Sequence, residues 1–411
     1  MASYDSWMRV LISGAGIAGP TLTYWLLRHG HKPTLIEDAP QLRTGGYLID
    51  FWGLGFDIAE KMGIIPELLR AGYLVEELRL VDASGSRVGG FSTTVIAEVM
   101  TGRYVSLPRG DLAASIYRTI EDQVETIFGD RISGITDGPE GVWITFAHAA
   151  PRQFDLVVGA DGLHSGVRRL AFGEQARLEK YLGYVVAAFE IPGYRPRDEL
   201  TYVSFSRPGK QVSRFAMRDD RTLILLVFAE DDAGRSQGEA APGLADVAAQ
   251  RRELHARFDD AGWECPQIMA AMDRCESLYF DRVSQIRMDK WSVGRVALIG
   301  DAAACPSLLA GQDSALAMIA AYVLAGELHR ANGDHRAAFA AYEARLRPFI
   351  ETKQNSAVQF ASSFAPRTQL GISIRSLVTK AMKIPFIAEL ALGCSLRDNL
   401  TLPDYATLAV P

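Results

Sequence analysis

RVLISGAGIAGPTLTYWLLRHG, residues 9–30, decides the fold. Arg9 to Ser13 reads as a short buried strand, Gly14 to Gly19 as a glycine turn, and Pro20 to His29 as a helix that Gly30 ends. Pro33 to Ile36 supplies the next strand, which makes the stretch the opening of a βαβ unit. In GAGIAG, the glycines Gly14, Gly16 and Gly19, with Ala18 between the last two, let the backbone turn tightly and approach a pyrophosphate at the positive end of a helix. Glu37, at the end of the second strand, can accept hydrogen bonds from ribose hydroxyls and argues against a 2'-phosphate there; Asp38 follows it. A GxGxxG alone is a weak signal, but strand, helix and acid in this order make a dinucleotide site.

The 411 residues, 48% hydrophobic and 22% charged, suit one large or two intimate globular domains able to bury a cofactor. A formal charge of -6 with no Lys/Arg run excludes a broad field for nucleic acid or anionic lipid. The four cysteines, Cys265, Cys275, Cys305 and Cys394, lack CxxC spacing, and the seven histidines lack HxxxH spacing, so neither a metal site nor a disulfide framework is expected. The apolar run Ala315 to Leu328 is too short and interrupted to span a bilayer. A cytoplasmic protein without stable membrane association follows, monomeric or weakly homodimeric.

Further along, Ala59 to Gly72 and Asp111 to Val124 read as helices, Glu77 to Val81, Val142 to Ala147 and Asp155 to Val158 as strands. From Tyr184 to about Glu230 the runs YVVAAFEI, YVSFS and TLILLVFA carry no helix between them, which is antiparallel sheet. Ala245 to Met272 is mostly helical, broken near Gly262 and Pro266, and Arg295 to Ile299 returns to a buried strand. The expected class is α/β: a Rossmann-like nucleotide domain (1–75, 98–180 and 276–345) interleaved with an antiparallel-sheet substrate domain (76–97 and 181–275), closed by helices over 346–411 that bridge the two. In the tail, the helix Gly371 to Met382 would turn Arg375, Lys380 and Lys383 to solvent.

A second nucleotide-facing loop follows the strand at 295–299. Asp301 stands at its tip, where it can bind a sugar hydroxyl, and Ala302, Ala303 and Ala304 let another backbone come close. Two such loops suit an extended cofactor, FAD rather than NAD. GAGIAG at 14–19, GADGLHSGVRR at 159–169 and GRVALIGDAAACPSLLAGQ at 294–312 resemble, in order, the three signatures of class A flavin monooxygenases. GGYLIDFWG at 45–53, KYLGYVVAAFEIPGY at 180–194 and AYVLAGEL at 321–328 are similar to the tetracycline-inactivating subgroup, a likeness that bears on scaffold more than on ligand. The resemblance implies FAD bound at Gly14, Gly16, Gly19, Glu37, Arg109, Asp161 and Asp301, with Gly311 and Asp313 at the flavin, and NADPH or NADH as a transient reductant. It further implies oxygenation of a bulky polycyclic or polyketide-like molecule. The cofactor carries that chemistry, so no Ser/His/Asp triad is required.

Among groups near the flavin or its entrance, Arg43, Asp50, Arg214 and Asp313 are the candidates for a direct part. Arg214 and Phe215 either face the substrate or are an exposed Arg beside a core Phe; Trp52 either lines the cavity or packs in the core. His164 touches a nucleotide or starts a helix, and Arg287 and Trp291 lock the sheet. The third signature departs from the family pattern: Leu308 stands where a proline is usual and Asp313 where a glycine is usual. Asp313 either caps its helix, with Leu316 beneath it, or points at the flavin and tunes or disables its reduction. The second possibility leaves open an alternative function, a flavoprotein that uses FAD without redox work, such as a cyclase in natural-product assembly.

Overall fold

A computed structural model describes residues 7–43, 46–94, 100, 102–173, 178–230, 246–307, 311–382 and 398–405, without the side chains of 359–363. The decisive stretch folds as read: strand Arg9–Ser13, turn, helix Ala18–Arg28, strand Lys32–Glu37. Its strand sits centrally in a six-stranded sheet ordered Ser292–Val293, Val296–Leu298, Leu156–Gly159, Arg9–Ser13, Lys32–Glu37, Glu125–Phe128. All pairings are parallel except that of the two-residue edge strand. Sequence order reverses between Arg9–Ser13 and Leu156–Gly159, which is the point of an open parallel sheet where a crevice forms beyond the carboxyl ends of the strands. Helix Asp313–Arg330 is apolar almost all round because it is enclosed by helices Ala18–Arg28, Gly53–Lys61 and His335–Phe364.

The second layer is a seven-stranded sheet ordered Tyr279–Ile286, Glu179–Pro192, Arg221–Ala229, Lys210–Ala216, Thr201–Arg207, Glu77–Val81, Arg87–Ser92. It is antiparallel except where Thr201–Arg207 runs beside Glu77–Val81. LILLVFA, residues 223–229, is apolar at every position because both faces are covered. Ile224, Leu226 and Phe228 pack under helices Val247–Phe258 and Cys265–Met272, while Leu223 and Val227 belong to clusters on the opposite face.

Several expectations are corrected. The helix expected over 59–72 is two, Gly53–Lys61 and Ile65–Ala71, divided at Gly63, whose φ of +76° only glycine adopts readily. The helix expected over 111–124 is Arg109–Arg118, and the residues after it supply the edge strand Glu125–Phe128. The segment 276–345, expected wholly in the nucleotide domain, begins with Tyr279–Ile286, which pairs with Glu179–Pro192 in the other sheet. Helix Gln369–Ala381 lies on strand Arg87–Ser92, and Arg375 points inward, donating to Gln211 Oε1 (2.7 Å) and Ser206 Oγ (2.6 Å) rather than facing solvent. Among the described residues no helix is long and apolar enough to cross a membrane.

Three histidines gather where helices Ala18–Arg28 and Asp313–Arg330 end. The His29 and His329 rings stack at 4.4 Å, and His31 Nδ1 accepts from the Met8 N–H at 3.2 Å. Burial, then His329, pulls His31 down to about 4; burial, then His329, His31 and Arg28, does the same to His29. The unfolded chain takes up these protons near pH 6.5, whereas the folded chain holds them off until about pH 4. Stability is therefore full above pH 6.5 and falls as pH drops through that window. For His31 the loss approaches roughly 3 kcal/mol, since a proton on Nδ1 also breaks the bond from Met8. Urea unfolding between pH 7 and pH 4 should show this decline, and His31→Leu should flatten it; an equally steep decline in that variant would remove His31 from the account.

Candidate functional site

A cavity of about 1360 Å³ opens beyond the carboxyl ends of the parallel strands and extends to the seven-stranded sheet, with Gly14, Glu37, Arg109, Asp301 and Asp313 on one side and Ala188, Pro192, Met217 and Tyr279 on the other. The glycine turn divides its labour as a nucleotide cradle requires. Gly14 has φ +108°, and a Cβ there would lie 2.5 Å from the Ala160 carbonyl oxygen. A Cβ on Gly19 would lie 1.9 Å from the Gly14 carbonyl oxygen, so helix and turn pack backbone to backbone. At Gly16 the nearest atom is Arg109 Nη2 at 4.0 Å, leaving the backbone open to the cavity. Ala18 begins the helix, and its small side chain lets the Gly300 turn approach.

Glu37 is fixed by two backbone amides, Ala15 N–H donating to Oε2 at 2.8 Å and Ala39 N–H to Oε1 at 3.0 Å, and keeps further lone pairs for ribose hydroxyls. Asp38 and Arg43 stand at the rim of the cavity, Asp38 paired with Arg131 at 3.3 Å. Asp161 is built into its loop: Oδ1 accepts from Ser165 Oγ (2.5 Å), Oδ2 from the Gly166 and Val167 N–H groups (2.8 and 3.0 Å). It thus organises the start of helix Gly166–Phe172 at the cavity wall. His164 lies beside it and bonds Asp281 at 3.0 Å, an interaction that raises the imidazole pKa and ties this loop to the large sheet.

Arg109, at the start of helix Arg109–Arg118, faces two carboxyls, Asp301 and Asp313, with Tyr47, Tyr279 and Cys305 around them. Burial raises both carboxyls; Arg109, a hydrogen bond with Cys305 and Arg168 oppose this at Asp301, whereas at Asp313 the charge of Asp301 adds to it and Arg109 alone opposes it. Both carboxyls are held above the ordinary carboxylate range, Asp313 well above it. Asp313 does not cap its helix: Gln312 occupies the cap position and makes no side-chain capping bond, and Asp313 Oδ1 is enclosed without a hydrogen-bond partner among the described residues. Leu308 lies outside the described residues.

Other candidates stand elsewhere. Arg214 is buried on the far face of the large sheet, donating to Asp198 (2.7 Å) and Glu264 (2.9 Å); strand alternation puts Phe215, not Arg214, on the side of the nucleotide domain, between Tyr73 and Tyr202. Asp50 Oδ1 accepts from Tyr104 Oη (2.6 Å) and Ser106 Oγ (2.5 Å), and with Trp52 and Gly311 it lines a small neighbouring recess. Trp291 is enclosed by Tyr342 and Arg347, locking the sheet to the long tail helix, and Arg287 bonds Asn355 on the same helix.

Sequence reading missed three groups. Tyr47 and Tyr279, ring centroids 5.6 Å apart, line the cavity together; Tyr47 sits within GGYLIDFWG, but Tyr279 arrives through long-range strand pairing. Arg168, fully buried, donates to the Ala302 and Leu163 carbonyls and so joins the second signature loop to the third.

The residues match proteins already known. A model of the FAD binding domain matches residues 152–355. A flavin-dependent monooxygenase of Legionella longbeachae is 33% identical over 97% of this chain and 98% of its own. An uncharacterised Mycobacterium tuberculosis protein is 36% identical over 84% of this chain and 91% of its own. The crystal structure of tetracycline destructase Tet(51) superposes with a TM-score of 0.82 at 32% identity, covering 97% of this chain and 100% of that one.

Proposed function

Because the chain belongs to the flavin-dependent monooxygenases and binds FAD, we propose that it oxygenates a bulky, electron-rich polycyclic or polyketide-like molecule at the expense of NAD(P)H and O2. The observation that carries this reading is the cavity. At about 1360 Å³ it exceeds the roughly 300–1,000 Å³ of an ordinary ligand pocket, and it joins the glycine cradle to the wall of the large sheet. That is space for an extended dinucleotide with a second molecule beside it. The similarity to tetracycline destructases Tet(51) and Tet(55), 32% and 30% identical, supports the polycyclic class.

The residues present fit FAD. Gly16 leaves backbone open beside Arg109, Glu37 has acceptor capacity, and the Asp313 carboxyl lacks a partner in the protein. The turn at Gly14 to Gly19 and Arg109 would hold the pyrophosphate, Glu37 a ribose and Asp301 the ribityl chain. The redox chemistry, hydride uptake from the nicotinamide and activation of O2, would be supplied by the bound FAD. The protein's part is positional and electrostatic. Tyr47 and Tyr279 line the cavity as a pair of rings, Asp161 and Arg168 fix the loops on either side, and Ala188, Pro192 and Met217 offer an apolar wall for a flat substrate.

Purified protein is expected to be yellow and, given a panel of tetracyclic and polyketide phenols that includes tetracycline, to consume NADPH or NADH and O2 together while forming a product one oxygen heavier. Turnover that proceeds anaerobically without reductant would replace this reading with the non-redox one.

A further inference from the structure

The departure at Asp313 has a use. Resting on FAD occupying this cavity, we propose that the Asp313 carboxyl is a neutral hydrogen-bond donor to the polar, pyrimidine edge of the flavin ring.

Four observations lead there. Asp313 lines the cavity, with Arg109, Asp301 and Tyr47 near it. Its Oδ1 is enclosed and has no hydrogen-bond partner among the described residues, while the carboxyl borders the cavity that the cofactor would fill. The helix it begins does not use it as a cap. Finally, Arg109 faces both Asp301 and Asp313 and Arg168 acts on Asp301 alone, with Tyr47, Tyr279 and Cys305 also around them. Asp301 has Arg109, the Cys305 thiol and Arg168, which leaves Asp313 as the carboxyl that keeps its proton.

A protonated carboxyl needs an acceptor, and an isoalloxazine carries its acceptors on the central and pyrimidine rings. Its dimethylbenzene end has none, while the pyrimidine edge carries ring nitrogen and carbonyl oxygens. On reduction that edge gains negative charge. A fixed O–H donor therefore binds the reduced ring more strongly than the oxidised one, as donors placed where charge develops do. An ionised Asp313 would act in the opposite direction, so the two states are separable by sign.

The test is the midpoint potential of FAD bound to the full-length protein, read by dye-equilibrated reduction at pH 7, for wild type, Asp313→Asn and Asp313→Ala. Asparagine keeps a neutral N–H donor and should leave the reduction equilibrium within a few-fold of wild type. Alanine should shift it about tenfold against the reduced flavin, about 30 mV for a two-electron couple. Infrared difference spectra on reduction should contain a protonated-carboxyl band in wild type that Asp313→Asn lacks, a readout that survives if the alanine variant folds poorly. A gain in reducibility in both variants, or no change in either together with no carboxyl band, overturns the proposal. A wild-type protein that takes up no FAD overturns the cofactor assignment first, and this with it.

Discussion

Gly16→Ala should fold with wild-type stability yet lose flavin, whereas Gly19→Ala should lose both stability and flavin. The two glycines belong to one motif but meet different surroundings. A Cβ at Gly16 finds nothing nearer than 4.0 Å, at an unstrained backbone, so the methyl group harms only what comes into the cavity. A pyrophosphate pushed away from this backbone forfeits charge-assisted hydrogen bonds of roughly 1.5–3 kcal/mol each, so FAD affinity should fall by about ten- to a hundredfold. A Cβ at Gly19 sits 1.9 Å from the Gly14 carbonyl oxygen. Helix and turn would have to part, and overpacking of this kind costs roughly 1–3 kcal/mol or more, with the cradle deformed as well. Urea midpoints of the flavin-free proteins and FAD titration by fluorescence quenching measure both effects. If Gly16→Ala binds FAD as wild type does, the pyrophosphate does not lie on this turn.

These glycines were legible because their signal is local. Strand, turn and helix occupy one continuous stretch, and Glu37 follows it after a single strand, so spacing alone placed them. Asp301 was legible for the same reason, at the tip of its own strand. What the sequence concealed depends on pairing between distant segments. Tyr279 reaches the cavity only because Tyr279–Ile286 pairs with Glu179–Pro192, and nothing near residue 279 announces that register. Arg168 reads as one of two adjacent arginines, yet burial and the Ala302 carbonyl single it out from Arg169. Asp161, expected as a cofactor contact, lines the cavity, and what the sequence concealed is that its two oxygens also build the loop. Asp313 was read with two outcomes open, and the arbiter was the absence of a capping bond, which no sequence pattern displays.

Arg214 gives the second large effect, and it also tests the facing of the sheet. The strand Lys210–Ala216 could be laid with either parity toward the nucleotide domain, and reading Arg214 toward the substrate assumed the wrong one. In the structure Arg214 pairs across to Ile224, whose side chain lies under the helices of the outer face, and Phe215 pairs to Leu223 on the inner face. With 4% of its side chain exposed, Arg214 bridges Asp198 and Glu264, and Tyr194 Oη also donates to Glu264 at 2.9 Å. Removing the arginine leaves Glu264 largely enclosed with one hydroxyl donor and no cation. Breaking a buried ion pair from one side costs roughly 3–5 kcal/mol, more than the pair itself contributes, because the remaining charge is stranded. Arg214→Ala should therefore lower stability by about that amount in urea unfolding. Adding Glu264→Gln should recover part of the loss, since it removes the stranded charge and keeps an acceptor for Tyr194. The folded fraction should hold FAD and oxygenate substrate with unchanged KM, since the sheet itself separates Arg214 from the cavity. A variant of normal stability with a raised KM would return Arg214 to the substrate side and reverse the parity assigned to this strand.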